Sequence, residues 1–165
     1  MRHRALLITM LFALAGCAAT PRAAALEPNI LVIRHLHTPK GATDPDLTSE
    51  GHAAAQALAK WLSRNPPRAI FVSDTKRARQ TAAPAATRFR VTPIVYDPRD
   101  TAALLASVQA QRGTVLIVGH SNTVPDIVAG LGGERPAPLV HEDFGDIWHI
   151  QGPERRTNRT KFAKP

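Results

Sequence analysis

Two arginines and two histidines in this chain sit where apolar runs end, and together they could do chemistry on an anion. NILVIRHLHT, Asn29 to Thr38, passes from aliphatic residues straight into Arg34, His35, Leu36 and His37. AIFV, Ala69 to Val72, ends in Ser73-Asp74, with Lys76, Arg77 and Arg79 in the following turn. TVLIV, Thr114 to Val118, ends in Gly119-His120-Ser121-Asn122. Guanidinium forks match phosphate oxygens bidentately. A histidine with one neutral ring nitrogen can attack phosphorus, and nearby arginines favour that neutral form. The set suits a dianion, with the positive charge supplied by side chains and no metal or other cofactor required. The spacing His35-x-His37 would also let two rings point the same way towards a metal shared with His120. Two neighbouring arginines would repel such a cation, and no thiolate or paired carboxylate lies near in sequence.

These residues can meet only if the apolar runs lie side by side. Ile30–Ile33, Ala69–Val72 and Thr114–Val118 read as strands buried on both faces. Thr92–Tyr96 reads as an edge strand, because Pro93 removes a ladder donor, and Asp146–Ile150 as a fifth strand. Helical patterns separate them. The first has Thr48 as N-cap and Ala54, Leu58, Trp61 and Leu62 on one face. The second is capped by Asp74 and bent or broken near Pro84. The third starts at Asp100, and the fourth has Pro125 in its first turn. Strands alternating with helices predict an α/β fold, a three-layer sandwich around a mainly parallel sheet. Ligands of such sheets bind at the carboxyl ends of the strands, where the four candidate residues fall.

The segments VIRHLHT, DPDLTSEGHAAAQALAKWL, VSDTKRARQTAAPAA and VLIVGHSNTVP follow one another as they do in the histidine phosphatase superfamily. The chain resembles the small, single-domain members of that phosphoglycerate-mutase-like group, over most of Ile30 to Ile150. The resemblance implies a metal-independent phosphoric monoester hydrolase. His35 matches the nucleophile that becomes phosphohistidine. Arg34 and Arg77 match the two phosphate-binding arginines, and His120 matches the second histidine, which contacts the phosphoryl group and stabilises its charge in flight.

The chain departs from the family pattern in two places. A small residue and often a glutamate follow the motif histidine in relatives, where this chain has Leu36 and His37. Leu36 is expected to crowd the rim, and His37 to face solvent or support the site from behind. The leaving group needs a proton, and many relatives supply it from a glutamate after the third strand. YDPRDT offers Asp97 and Asp100 there. Asp100 reads as a helix cap, so Asp97 is the expected acid. Relatives of the phosphohistidine phosphatase type lack this acid, and its absence would change the substrate class. Lys76, Arg79 and His52 read as surface residues, and Trp61 and Trp148 as packing residues.

The N-terminus reads as an export signal. Arg2 and Arg4 precede the apolar stretch Ala5–Leu14, which is too short to cross a bilayer core of about 30 Å. Leu14-Ala15-Gly16-Cys17 looks like a bacterial lipoprotein signal, with Cys17 the lipidated new N-terminus. Cys17 is the only cysteine, so no intramolecular disulfide can form. Ala18 follows it rather than aspartate, and the resemblance then implies the periplasmic face of the outer membrane. The expected organisation is a signal peptide at 1–16, a tether with lipidated Cys17 at 17–28, the domain at 29–152, and a basic C-terminal strand or tail at 153–165. The formal charge is +8. Removing Arg2 and Arg4 leaves +6, and the stretch from Glu154 onward contributes +4, so the body is near +2. A nearly neutral body does not suggest nucleic acid as a partner. The expected partners are a phosphorylated substrate and, through the anchor, the membrane. The competing reading is a phosphate- or phospholigand-binding lipoprotein on the same fold that does not turn over.

Overall fold

Leu31 and Ile33 point to one side of the first strand, and Ile30 and Val32 to the other, so this strand is covered on both faces. The computed structural model describes residues 28–41 and 43–162. Its strands are β1 (Asn29–Arg34), β2 (Pro67–Ser73), β3 (Ile94–Tyr96), β4 (Thr114–Gly119), β5 (Asp146–Gln151) and β6 (Arg156–Lys161). Its helices are α1 (Ser49–Trp61), α2 (Lys76–Phe89), α3 (Thr101–Gln109) and α4 (Val124–Gly130), with a short 3₁₀ turn at Leu62–Arg64.

The six strands form one sheet in the order β3-β2-β4-β1-β5-β6. β1 to β4 are parallel, β5 runs antiparallel to β1, and β6 antiparallel to β5. Leu31, Ile33, Ile70, Val72, Leu116 and Val118 meet Leu58, Ala82 and Ala85 of α1 and α2 on one face. Ile30, Val32, Phe71, Val115 and Ile117 meet Leu104, Val108, Ile127 and Val128 of α3 and α4 on the other. The fold is therefore the expected α/β three-layer sandwich with a mixed, largely parallel sheet. No helix among the described residues is long and apolar enough to cross a membrane.

Thr48 caps α1, its hydroxyl accepting from the Gly51 amide, and Asp100 caps α3 by accepting from Ala103. β3 is an edge strand, as Pro93 predicts. Two local expectations are corrected. The N-cap of α2 is Thr75, not Asp74, whose carboxylate pairs with Arg79 instead. Pro84 does not break α2, which runs unbroken to Phe89. Proline's fixed φ is itself helical, and the cost is the missing donor to the Gln80 carbonyl and the crowding of that carbonyl by the ring. The buried stripe Ala78, Thr81, Ala82 and Ala85 keeps the helix on the sheet.

The basic stretch after Gly152 forms β6, paired with β5 at all six residues. Its burial pattern is polar and exposed almost throughout, as befits a solvated sheet edge.

Candidate active site

The pairing of β1 with β4 sets Arg34 opposite Gly119, and the next residues of both strands leave the sheet together. The His35 amide donates to the Gly119 carbonyl at 2.9 Å, which carries the pairing one residue past the strand. His35 and His120 thus emerge side by side, with ring centroids 5.4 Å apart and planes inclined by 57°. Both are buried, at 5% and 7% exposure. β2 adds Ser73, whose hydroxyl lies 2.7 Å from His120 Nε2 and 3.1 Å from the Thr75 hydroxyl. The His120 amide donates to Thr123 Oγ1 at 2.9 Å, which fixes the backbone turn that presents the ring.

The state of His35 follows from one contact. Its Nδ1 lies 2.9 Å from the Leu36 carbonyl oxygen, which can only accept, so Nδ1 carries the proton. In the neutral ring Nε2 then keeps its lone pair. Burial pushes His35 down to about 3, opposed by the Leu36 hydrogen bond and reinforced by Arg34, His120 and Arg77. Burial also lowers His120, to about 4, again with help from Arg77 and Arg34 and against the pull of Asp44. Both rings are therefore neutral near pH 7.

Arg34 is buried at 5% exposure, with its guanidinium carbon 4.4 Å from the centre of the Phe144 ring. Its Nη1 donates to the carbonyls of Val140, His141 and Asp143 at 2.5, 3.1 and 3.3 Å. One arginine thus ties the loop before β5 to the end of β1. A Lys40–Glu142 ion pair at 2.5 Å links the same loop to the one after β1. Arg77, in the first turn of α2, donates to Asp44 Oδ1 at 3.2 Å and to the Thr43 carbonyl at 3.4 Å. Asp44 also accepts from the Lys76 amide at 3.1 Å, so a carboxylate occupies the N-terminus of α2. Arg34 Nε and His120 Nδ1, both buried at this end, have no hydrogen-bond partner among the described residues.

The strand ends therefore bring Arg34, His35 and His120 together, and both histidines lie close enough to Arg77 to be shifted by its charge. Asp97 lines a cavity together with Ser73, Thr75, Tyr96 and Arg99. It is exposed at the end of β3, where Arg99 grips both carboxylate oxygens at 2.8 to 3.3 Å. Those hydrogen bonds hold its carboxyl down at about 2, which keeps the ionised form and leaves no proton to donate near pH 7. Cys17 lies outside the described residues.

Leu36 does not crowd the rim. It is fully buried in the core, and its amide donates to Thr81 Oγ1 at 3.0 Å. Its apolar side chain points inward while its backbone carbonyl serves His35. His37 packs on Phe144 at 4.5 Å between ring centroids, with Nε2 3.5 Å from Glu50. Gly51 permits this course of the loop, because a Cβ there would lie 2.5 Å from the His37 carbonyl oxygen. Among the described residues, no three histidine, cysteine or carboxylate side chains converge as a metal site.

Sequence reasoning missed Phe144, the three carbonyls holding Arg34, Asp44 beside Arg77, and Ser73 beside His120. Only Ser73 carried a signal, since it ends an apolar strand as Arg34 and Gly119 do. The others belong to irregular loops, where no periodicity marks the residue that will meet the site.

Residues 30–99, from β1 to just past β3, match the sequence model of the histidine phosphatase superfamily (branch 1). No curated protein sequence gives a significant match. The fold is similar to that of the protein histidine phosphatase SixA complexed with tungstate. That match has 21% identity and a TM-score of 0.62, over 80% of this chain and 94% of that one. It is also similar to a mycobacterial glucosyl-3-phosphoglycerate phosphatase complexed with inorganic phosphate. Here identity is 17% and TM-score 0.64, over 82% of this chain and 97% of that one. The protein TTHB049 from Thermus thermophilus matches at 23% identity and TM-score 0.53, over 82% of this chain and 99% of that one. Over its first three strands the chain thus matches the sequence model of the histidine phosphatase superfamily, and its three-layer fold is similar to that of these solved structures.

Proposed function

We propose that the protein hydrolyses phosphomonoesters through a phosphohistidine formed on His35 Nε2. The observation that carries this reading is the Nδ1–H of His35 donating to the Leu36 carbonyl, because it turns the lone pair of a neutral ring away from the backbone. The sequence of events is a double displacement. The phosphoryl dianion settles between Arg34, Arg77 and His120, with Arg34 Nε and His120 Nδ1 as candidate partners for its oxygens. His35 Nε2 attacks phosphorus, and the P–O bond to the leaving group breaks with its electron pair on the departing oxygen. Water then attacks the phosphohistidine and releases phosphate. Buried arginine donors stabilise the charge that builds up on the equatorial oxygens. An arriving dianion offsets the arginines that depress His120, so this ring gains a proton more readily once substrate is bound.

The ionised state of Asp97 bears on the substrate. With no proton held there, the reaction favours leaving groups that depart without strong acid assistance, such as aryl oxygens or a protonated nitrogen. The solved relative described as a protein histidine phosphatase is consistent with the second type.

We further propose that the chain is exported and lipid-anchored through Cys17, with the domain on the periplasmic face of the outer membrane. The support for this is the pattern of Arg2, Arg4, Ala5–Leu14 and Leu14–Cys17.

The test is turnover of an aryl phosphate with and without chelator, beside His35→Ala, followed by alkaline trapping of the acid-labile phosphoenzyme. Chelator-resistant turnover and a phosphate label, both lost in the variant, are expected. Full turnover by His35→Ala would refute the mechanism. Phosphate binding without turnover would support the non-catalytic phospholigand-binding alternative.

A further inference from the structure

The near-neutral body conceals a separation of charge along the sheet. Among the described residues, every acid except Glu134 and Glu154 lies on the half that carries the site: in the loops at the carboxyl ends of β1 to β4, in the first turns of the helices that follow, or around the start of β5. The opposite end collects cations. Arg64 closes the turn after α1, Arg88 and Arg90 end α2, Arg68 opens β2, and Arg112 precedes β4. All five are exposed, and none has an acidic partner within 4 Å among the described residues. They lie in one region. Arg88 Nε donates to Ser63 Oγ at 2.9 Å, and a Cβ on Gly113 would lie 3.1 Å from Arg68 Cγ. Arg156 opens β6 at the same end, where Glu154 neutralises it.

Helix dipoles explain part of this distribution, since cations are favoured where helices end. They do not explain Arg68, which lies on a strand, or the lack of acids to balance the group. The chain also enters the domain at this end. The Asn29 amide donates to the Gly113 carbonyl at 3.0 Å, beside Arg68 and Arg112. Pro28 follows Cys17 by eleven residues, a reach below about 40 Å even when fully extended.

We propose that this arginine face docks on an anionic lipid surface and points the catalytic mouth away from the bilayer. The orientation rests on the phosphatase reading, whereas the docking does not. Several arginines near a negatively charged leaflet give a salt-sensitive attraction that acts within a Debye length, about 8 Å at physiological ionic strength. A mouth at the far end of the strands would take substrates from the aqueous side.

The full chain is tested by sedimentation with vesicles of phosphatidylcholine alone, or with phosphatidylglycerol added. The N-terminal apolar segment and any lipid on Cys17 would bind both kinds alike and so report on anchoring separately. The arginine face predicts an additional gain of roughly tenfold or more with phosphatidylglycerol, lost at high salt. Arg68→Glu/Arg112→Glu, and independently Arg64→Glu/Arg90→Glu, abolish that gain. Arg79→Glu/Arg99→Glu, the same charge change at the opposite end, keeps it. Equal loss in all three pairs, or no preference for the anionic lipid, overturns the proposal. So does displacement of the vesicles by RNA at matched charge concentration, which would point to a polynucleotide. Vesicle-bound protein that retains turnover of a soluble aryl phosphate supports the outward mouth, and loss of turnover on binding refutes it. If turnover is absent in solution as well, only the phosphatase reading fails.

Discussion

His35 donates its Nδ1–H to the carbonyl of the very next residue, Leu36, whose side chain is sunk in the core. The ring is thereby oriented by a backbone atom that cannot move without disturbing the packing of α1 and α2. This fixes one tautomer, and burial keeps the ring neutral to about pH 3. Nitrogen-15 NMR is expected to find His35 as the neutral Nδ1–H form at pH 5. A protonated ring at that pH, or the Nε2–H tautomer, would contradict the geometry.

Arg34 and Arg77 should separate when they are mutated. Arg34→Ala removes three donations to the loop carbonyls and is expected to cost about 2–3 kcal/mol of stability as well as activity. Arg77→Ala breaks one partly exposed pair with Asp44 and should change stability by less than about 1 kcal/mol. Turnover in both is expected to fall by about 10²–10³. Denaturant titration alongside kinetics checks the split.

Ser73→Ala leaves His120 Nε2 without its partner at 2.7 Å. The ring keeps its place through the backbone turn at Thr123, so substrate binding is expected to hold while kcat drops roughly tenfold, equivalent to about 1.4 kcal/mol. A rise in KM with kcat unchanged would show that the hydroxyl serves binding instead.

Asp97→Asn is expected to alter turnover of aryl and alkyl phosphates by less than about threefold, because a carboxyl held ionised by Arg99 gives up no proton in the transition state. A large loss confined to alkyl phosphates would instead make Asp97 the acid.

Stability should fall on the acid side for a reason that can be assigned. The two site histidines are held neutral in the folded state, at about 3 and about 4, against 6.5 for a free ring. Below pH 6.5 the unfolded chain takes up protons that the folded chain refuses, so stability is full above that value and declines as pH falls towards 4. At pH 5 each ring contributes a loss of about 2 kcal/mol at most. His120→Asn is expected to flatten the decline by up to that amount in urea titrations at pH 7 and pH 5.

Much of this is legible in the sequence alone. Continuous runs such as Ile30–Ile33 and Thr114–Val118 can be buried only between two helical layers, so the parallel strands and the place where Arg34, His35 and His120 gather followed from them. The Thr48 and Asp100 caps followed from local hydrogen-bond chemistry. What stayed hidden depends on distant, irregular backbone. Nothing in ERPAPLVHEDF says that three of its carbonyls will close on Arg34, or that Phe144 will lie under the guanidinium. Leu36 misled because the family pattern has a small residue there, whereas only its carbonyl is needed at the site and its side chain can turn inward.

The position of β1 also governs how the protein comes into being. Its two neighbours are β4 and β5, which begin 85 and 117 residues later in the chain. A growing or threaded chain that has presented only its first hundred residues therefore has His35 and Arg34 but no strand to set them against. The site cannot assemble piecemeal, and its contacts span most of the chain, a topology associated with slow folding. Truncation between β1 and β4 leaves Arg34 and His35 in the chain without the strand they are set against.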